Sequence, residues 1–216
     1  MFVRTVFHQQ LDDLKAGMAG LCDLTGAAMA GATDALLQPN LQAAEEIIDR
    51  YGDITGECAR LETDAFTILA RQAPVAGDLR AVVSALKDVA DIQRMAALAT
   101  HIARIARRRH PHLAVPADGV SYFAEMGRIA VHVSEDTKHV VLLGDPEQAA
   151  RLRADDEAMD DLHRHVFTTV MDPAWTHGTA AAVDVTLLSR YYERFADHAV
   201  EVANRVIYQT TGVRST

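Results

Sequence analysis

The stretch Ser189–Gln209, SRYYERFADHAVEVANRVIYQ, constrains the fold more than any other. Just ahead of it and through it, apolar or small residues recur at Leu188, Tyr192, Phe195, Ala199, Val202 and Val206, four and three apart in alternation. That spacing is the seam of a helix packed against other helices. Beside the seam runs a ladder of acids, Glu193, Asp197 and Glu201, each four residues after the last. Residues four apart are neighbours on one helix face, and stacked like charges cost a few tenths of a kcal/mol per pair. Something cationic must offset them, either arginine or a metal ion.

The rest of the chain repeats the helical theme. Half of its 216 residues are apolar, aromatics are only 6%, and few stretches alternate with a period of two, so an all-α fold is expected. A net charge of -9 argues against a nucleic-acid binder, which works by neutralising phosphates. Cys22 and Cys58 sit in helical patterns without metal-ligand spacing and read as small buried residues of a reducing compartment. The start MFVRTVFHQQLDDL has no long apolar core and does not read as a signal peptide. No apolar run approaches the ~20 residues that span a bilayer. The expectation is a soluble cytoplasmic protein, peripheral to a membrane at most.

Six helices are predicted. The first, from about Val3 to Leu37, carries Val6, Leu11, Leu14, Met18, Leu21, Leu24 and Met29 at helical spacing. Gly17, Gly20, Gly26 and Gly31 weaken it by up to ~1 kcal/mol each, which close packing against neighbours would explain. Gln38-Pro39-Asn40 stops it, and Asn40 caps a second helix, about Leu41 to Arg71. After a bend at RQAPVAGDLR a third runs to about Arg108, with a basic end (Arg104, Arg107, Arg108, Arg109) that suits the helix macrodipole or an anionic partner. A Pro- and Gly-containing stretch from Arg109 to Gly119 follows, then a fourth helix, Val120 to Leu143. Asp145-Pro146-Glu147 opens a fifth, to about Met171, and the sixth, Thr179 to Thr210, is closed by Gly212.

The two halves match. A shift of one hundred residues places Arg94 on Arg194, Ala96 on Ala196, Ala99 on Ala199 and Ala103 on Ala203. The reading is two tandem antiparallel three-helix bundles, 1–110 and 118–216, joined by a linker at 111–117 and packed side by side.

Acids cluster in both halves. Glu193 and Asp197 on the sixth helix can meet Asp156, Glu157 and Asp160 on the fifth, the set with which several carboxylate oxygens would hold a divalent or iron cation. The first half offers Asp49 and Asp53 (with Glu57) on the second helix, and Asp88 and Asp91 on the third. It has Gln93 and Ala97 where the second half has Glu193 and Asp197, so a site there is expected to be weaker or absent. The competing reading is a solvated, salt-bridged face, since Arg190, Arg194 and Arg205 stand three or four residues from the acids. No catalytic constellation is present: there is no Glu-x-x-His pair, Gly-rich phosphate loop, Gly-x-Ser-x-Gly or Cys-x-x-Cys. Asp160-x-x-His163 and Asp136-x-x-His139 come nearest to the first of these. Of the ten scattered histidines, His198 beside the ladder is the one to weigh as a ligand, against the plainer reading of a packed or solvated histidine. A helical metal-storage protein or metal-dependent enzyme is the alternative class.

RQAPVAGDLR, then DIQRMAALA, and YYERFADHAVEVANRVIY near the end of the second half resemble the PhoU family, phosphate-specific transport system accessory proteins, in particular its actinobacterial, mycobacterial-type members. The resemblance covers essentially the whole chain. It implies two three-helix bundles, and a Glu(Asp)-x-x-x-Asp metal motif on the third helix of each. The second motif is intact as Glu193 and Asp197. The first departs, with Gln93 and Ala97 in place of the acids and Asp91 and Arg94 kept around them. The implied function is an adaptor between the ATPase of a phosphate ABC transporter and a sensor histidine kinase, restraining the starvation response when phosphate is plentiful. A homodimer is expected.

Overall fold

In the computed structural model, which describes residues 2–211, six helices follow one another with no strand among the described residues. They are α1 (Phe2–Leu37), α2 (Leu41–Gln72), α3 (Ala76–Arg109), α4 (Val120–Leu143), α5 (Pro146–Met171) and α6 (Gly178–Thr211). The expected punctuation is in place. The Asn40 side chain accepts from the Ala43 N–H at 3.1 Å, and that of Asp145 accepts from the Glu147 N–H at 2.9 Å. Gly144 ends α4 in the left-handed conformation, φ 65°, donating to the Val140 carbonyl, a geometry that costs glycine nothing. Gly212, expected to close α6, lies outside the described residues.

Each half folds back on itself. α1, α2 and α3 pack together, as do α4, α5 and α6. The two sets then join through α1 against α4 and α3 against α6, so these four form the inner layer and α2 and α5 lie outside it. The α6 seam expected from sequence is buried throughout, from Leu188 to Val206. So are the repeat-matched alanines 96, 99, 103, 196, 199 and 203. One continuous apolar cluster runs through both halves and takes in Ala114 and Val115 of the connection between them.

In α1 the expectation needs correcting at three positions. Leu14, Met18, Leu21 and Met29 are buried, but Val6 and Leu24 are exposed. The buried stripe passes instead through Cys22, Thr25 and Ala32, because α1 faces α2, α3 and α4 together. Gly17 and Gly31 do permit close approach: a Cβ on either would fall 2.4 Å from Leu61 Cδ2 or 2.7 Å from Ile47 Cδ1. Gly20 does not, since nothing lies within 4 Å of the Cβ it lacks. An equally close seat is Gly127 on α4, where a Cβ would fall 2.4 Å from Cγ2 of Thr33 on α1, whose hydroxyl bonds the Tyr192 hydroxyl at 2.8 Å. Both cysteines are buried, and burial pushes their thiols up to about 12 for Cys22 and about 11 for Cys58, so neither is a thiolate at neutral pH.

Candidate functional site

The inner layer is clamped by ions at both ends of the antiparallel α3–α6 contact. At one end Asp184 of α6, 1% exposed, receives Arg108 and Arg109 of α3. The basic end of α3 therefore faces a buried carboxylate, a partner that sequence spacing did not reveal. At mid-length His101 stacks on Tyr191, ring centroids 5.3 Å apart. At the other end Arg205 of α6 donates through Nε to Asp88 Oδ1 at 2.7 Å and also reaches Asp91, which bonds His198 Nδ1 at 2.9 Å.

Asp91 is thereby removed from the candidate site of the first half. Its partners are on α6, whereas Asp49 and Asp53 are exposed on α2, which does not touch α6. Burial pushes the Asp91 carboxyl up, but His198 and Arg205 outweigh it and hold it below the ordinary carboxylate range. Glu57 of the same ladder is occupied by Arg60, which also pairs with Asp64. Of the acids of the first half, Asp49 and Asp53 are thus solvated and Glu57, Asp88 and Asp91 are paired with arginine from within the chain, although Asp88 keeps Oδ2 buried without a partner. His198 is spent on Asp91 rather than on the acids of α5.

The second half is different. α5 and α6 run antiparallel, with His163 Nδ1 2.9 Å from the Ser189 hydroxyl. Next to that contact α6 presents Glu193 and Asp197, and α5 presents Asp156 and Asp160, with Glu157 beside them in solvent. Glu193 is buried and pairs with Arg190 through Oε1 only; Oε2 is buried without a partner, as is Oδ1 of Asp156. Burial, then the charges of Asp197, Asp160 and Glu157, push the Asp156 carboxyl up to about 6. Burial, followed by Asp197, raises Glu193, with Asp160 adding to it and Arg190 and Arg194 opposing. Raised carboxylates that repel one another and leave buried oxygens unpaired are short of positive charge.

A cation fits that shortage. The donors are all oxygen, which suits hard ions such as magnesium, calcium or manganese, and iron as well. Among the described residues no three of these carboxylates bring an oxygen each within 4.8 Å of one another, so side-chain rotation would have to draw them in. That convergence is found elsewhere, at His132 and Asp136 of α4 with Asp155 of α5. The only sequence signal for it was His132 and Asp136 standing four apart on one helix face. Nothing local pointed to Asp155.

Among the described residues no helix is long and apolar enough to cross a membrane. The family model described as the PhoU domain matches residues 18–106 and 123–206, one copy in each half. The chain is 60% identical to the phosphate-specific transport system accessory protein PhoU homolog 2 of Mycobacterium tuberculosis, covering 97% of this chain and 99% of that one. It is 56% identical to PhoU homolog 1 of Mycobacterium leprae, covering 97% and 95%. In structure it is similar to PhoU from Pseudomonas aeruginosa, with a TM-score of 0.84 at 22% identity over 96% of this chain and all of that one. It is also similar to the phosphate transport system regulatory protein PhoU from Streptococcus pneumoniae, with a TM-score of 0.86 at 22% identity over 97% and 99%.

Proposed function

The chain belongs to the PhoU family, and from that premise we propose that it is a cytoplasmic regulator of phosphate uptake. In this reading it is an accessory of the phosphate transport system that links the ATPase of a phosphate ABC transporter to a sensor histidine kinase. It restrains the starvation response while phosphate is plentiful. The observation that carries the reading is the end-to-end likeness to mycobacterial accessory proteins of phosphate transport. The role is regulatory rather than catalytic, and the conspicuous chemistry of the second half is a place to bind a cation.

Glu193, Asp197, Asp156 and Asp160, with Glu157 at the rim, would hold that cation. Bound there it would supply positive charge to the unpaired oxygens of Glu193 and Asp156 and tie α5 to α6. Arg190 now supplies part of that charge from the surface, so a cation and Arg190 compete for Glu193. Arg190 released from Glu193 changes the surface offered to a partner.

Two measurements test the reading. Elemental analysis of natively purified protein is expected to find metal that is absent from the Glu193→Ala/Asp197→Ala double variant. In cells lacking the protein, wild type is expected to restore repression of a phosphate-starvation reporter in high phosphate, and the double variant to restore less. Full repression by the double variant would sink the cation-regulated mechanism. No effect of wild type on reporter or uptake would sink the regulatory reading itself.

A further inference from the structure

We propose that His132, Asp136 and Asp155 form a separate site for a first-row transition metal, zinc being the simplest probe, across the groove between α4 and α5.

Three donor atoms meet there from two helices, all within 4.8 Å of one another. His132 Nδ1 lies 2.9 Å from Asp155 Oδ2 and 4.0 Å from Asp136 Oδ2. A tetrahedral zinc with bonds of about 2.0–2.1 Å spaces its ligands roughly 3.4 Å apart, between those two distances. Small rotations of three side chains would make the site, leaving its fourth position to water. The set is an imidazole and two carboxylates, which favours zinc, manganese, cobalt or iron(II) over magnesium and calcium.

A second observation points to a missing ligand. The Asp136 side chain is 15% exposed, yet its Oδ2 is inaccessible and accepts no hydrogen bond. That oxygen turns towards His132 but stays beyond hydrogen-bond reach of it, and a buried carboxylate oxygen without a partner is costly. The nearby arginine does not serve it. Arg128 is held by both oxygens of Glu125, at 2.9 and 2.6 Å, and reaches Asp155 only as a charge at longer range. Among the described residues, His132 is the only base in ion-pair contact with Asp136 or Asp155. One imidazole brings at most a single positive charge to two carboxylates, whereas a divalent metal brings two.

The placement gives the site a structural consequence. Neighbouring residues of α5 serve opposite flanks: Asp155 faces α4, while Asp156 interacts with Asp197 on α6. A metal on the α4 side fastens the outer helix independently of any cation on the α6 side.

The test is zinc titration of the full chain by calorimetry, with cobalt(II) absorption as a second readout. It compares wild type, His132→Gln, Asp136→Asn and Asp156→Asn/Asp160→Asn. His132 is half exposed and glutamine is a good helix former, and circular dichroism checks that each variant folds. The expected result is one zinc equivalent weakened at least tenfold by His132→Gln and by Asp136→Asn, but retained in the Asp156→Asn/Asp160→Asn protein. Cobalt should give tetrahedral ligand-field bands that His132→Gln removes. Magnesium should bind wild type and His132→Gln alike. Equal zinc uptake by wild type and His132→Gln would overturn the proposal, as would zinc uptake by neither. Loss of that equivalent only on changing Asp156 and Asp160 would assign the metal to the α6 side and overturn it equally.

Discussion

Replacing Arg205 by methionine keeps most of its packing stem and removes its charge. Asp88 is then left 0% exposed with no cation, its Oδ2 already unpartnered in the wild type. Asp91 keeps His198. Breaking a buried pair by removing one partner costs about 3–5 kcal/mol, because the remaining charge is buried uncompensated. Arg205 is 21% exposed, so water already screens part of the attraction, and the low end, about 3 kcal/mol, is expected. For a chain of this length each kcal/mol lowers Tm by about 2–4 °C, giving a loss of roughly 6–12 °C. The assay is thermal and urea unfolding followed by far-ultraviolet circular dichroism at pH 8 and at pH 6. Burial pushes the Asp88 carboxyl up to about 7 even with Arg205 beside it. Without Arg205 it rises further, so the deficit should shrink on going to pH 6, where the group is protonated. Adding Asp88→Asn to Arg205→Met should recover most of the loss. An equal deficit at both pH values, or no recovery in the double variant, would refute uncompensated charge as the cause.

Four further outcomes follow from the same packing and charge arrangement. Wild-type stability should fall as pH rises from about 4 to about 7 through the contribution of Asp88. That carboxyl titrates near 3.9 unfolded and at about 7 folded, so the folded state holds the extra proton in that window; Asp88→Asn should flatten the profile. Arg108→Ala and Arg109→Ala should each cost under about 1.5 kcal/mol, since either arginine still serves Asp184, while the double change should cost about 3 kcal/mol in chemical denaturation. Gly127→Ala puts a Cβ 2.4 Å from Thr33 Cγ2 and should destabilise by about 1–3 kcal/mol, measured by the same method. Gly20→Ala meets nothing within 4 Å and should stabilise by up to about 1 kcal/mol.

Much of the architecture was legible in the chain because helices announce themselves locally. The seam from Leu188 to Val206, the Asn40 and Asp145 caps and the hundred-residue repeat are relations between residues near in sequence or equivalent by repetition, and the structure keeps each. The acids of α5 and α6 could be brought together from sequence for the same reason. A short hairpin sets two helices side by side, and four-residue spacing fixes which face they share. Val6, Leu24 and Gly20 were misjudged because periodicity shows that a helix has an apolar face, not how many neighbours divide it.

The sequence by itself determined six helices, two matched halves and a concentration of carboxylates in the second. Only the tertiary structure decided which charges are spent. Asp91 and His198 lie more than a hundred residues apart, and so do Asp88 and Arg205. Asp184 meets Arg108 and Arg109 from the opposite half of the chain. Coulomb interactions depend on distance and on burial, and neither is encoded in spacing along a single helix. Packing α3 on α6 engaged Asp88 and Asp91 of α3 with Arg205 and His198, while Asp156 and Glu193 at the α5–α6 contact and Asp136 on α4 keep buried oxygens unpaired, as does Asp88 through Oδ2.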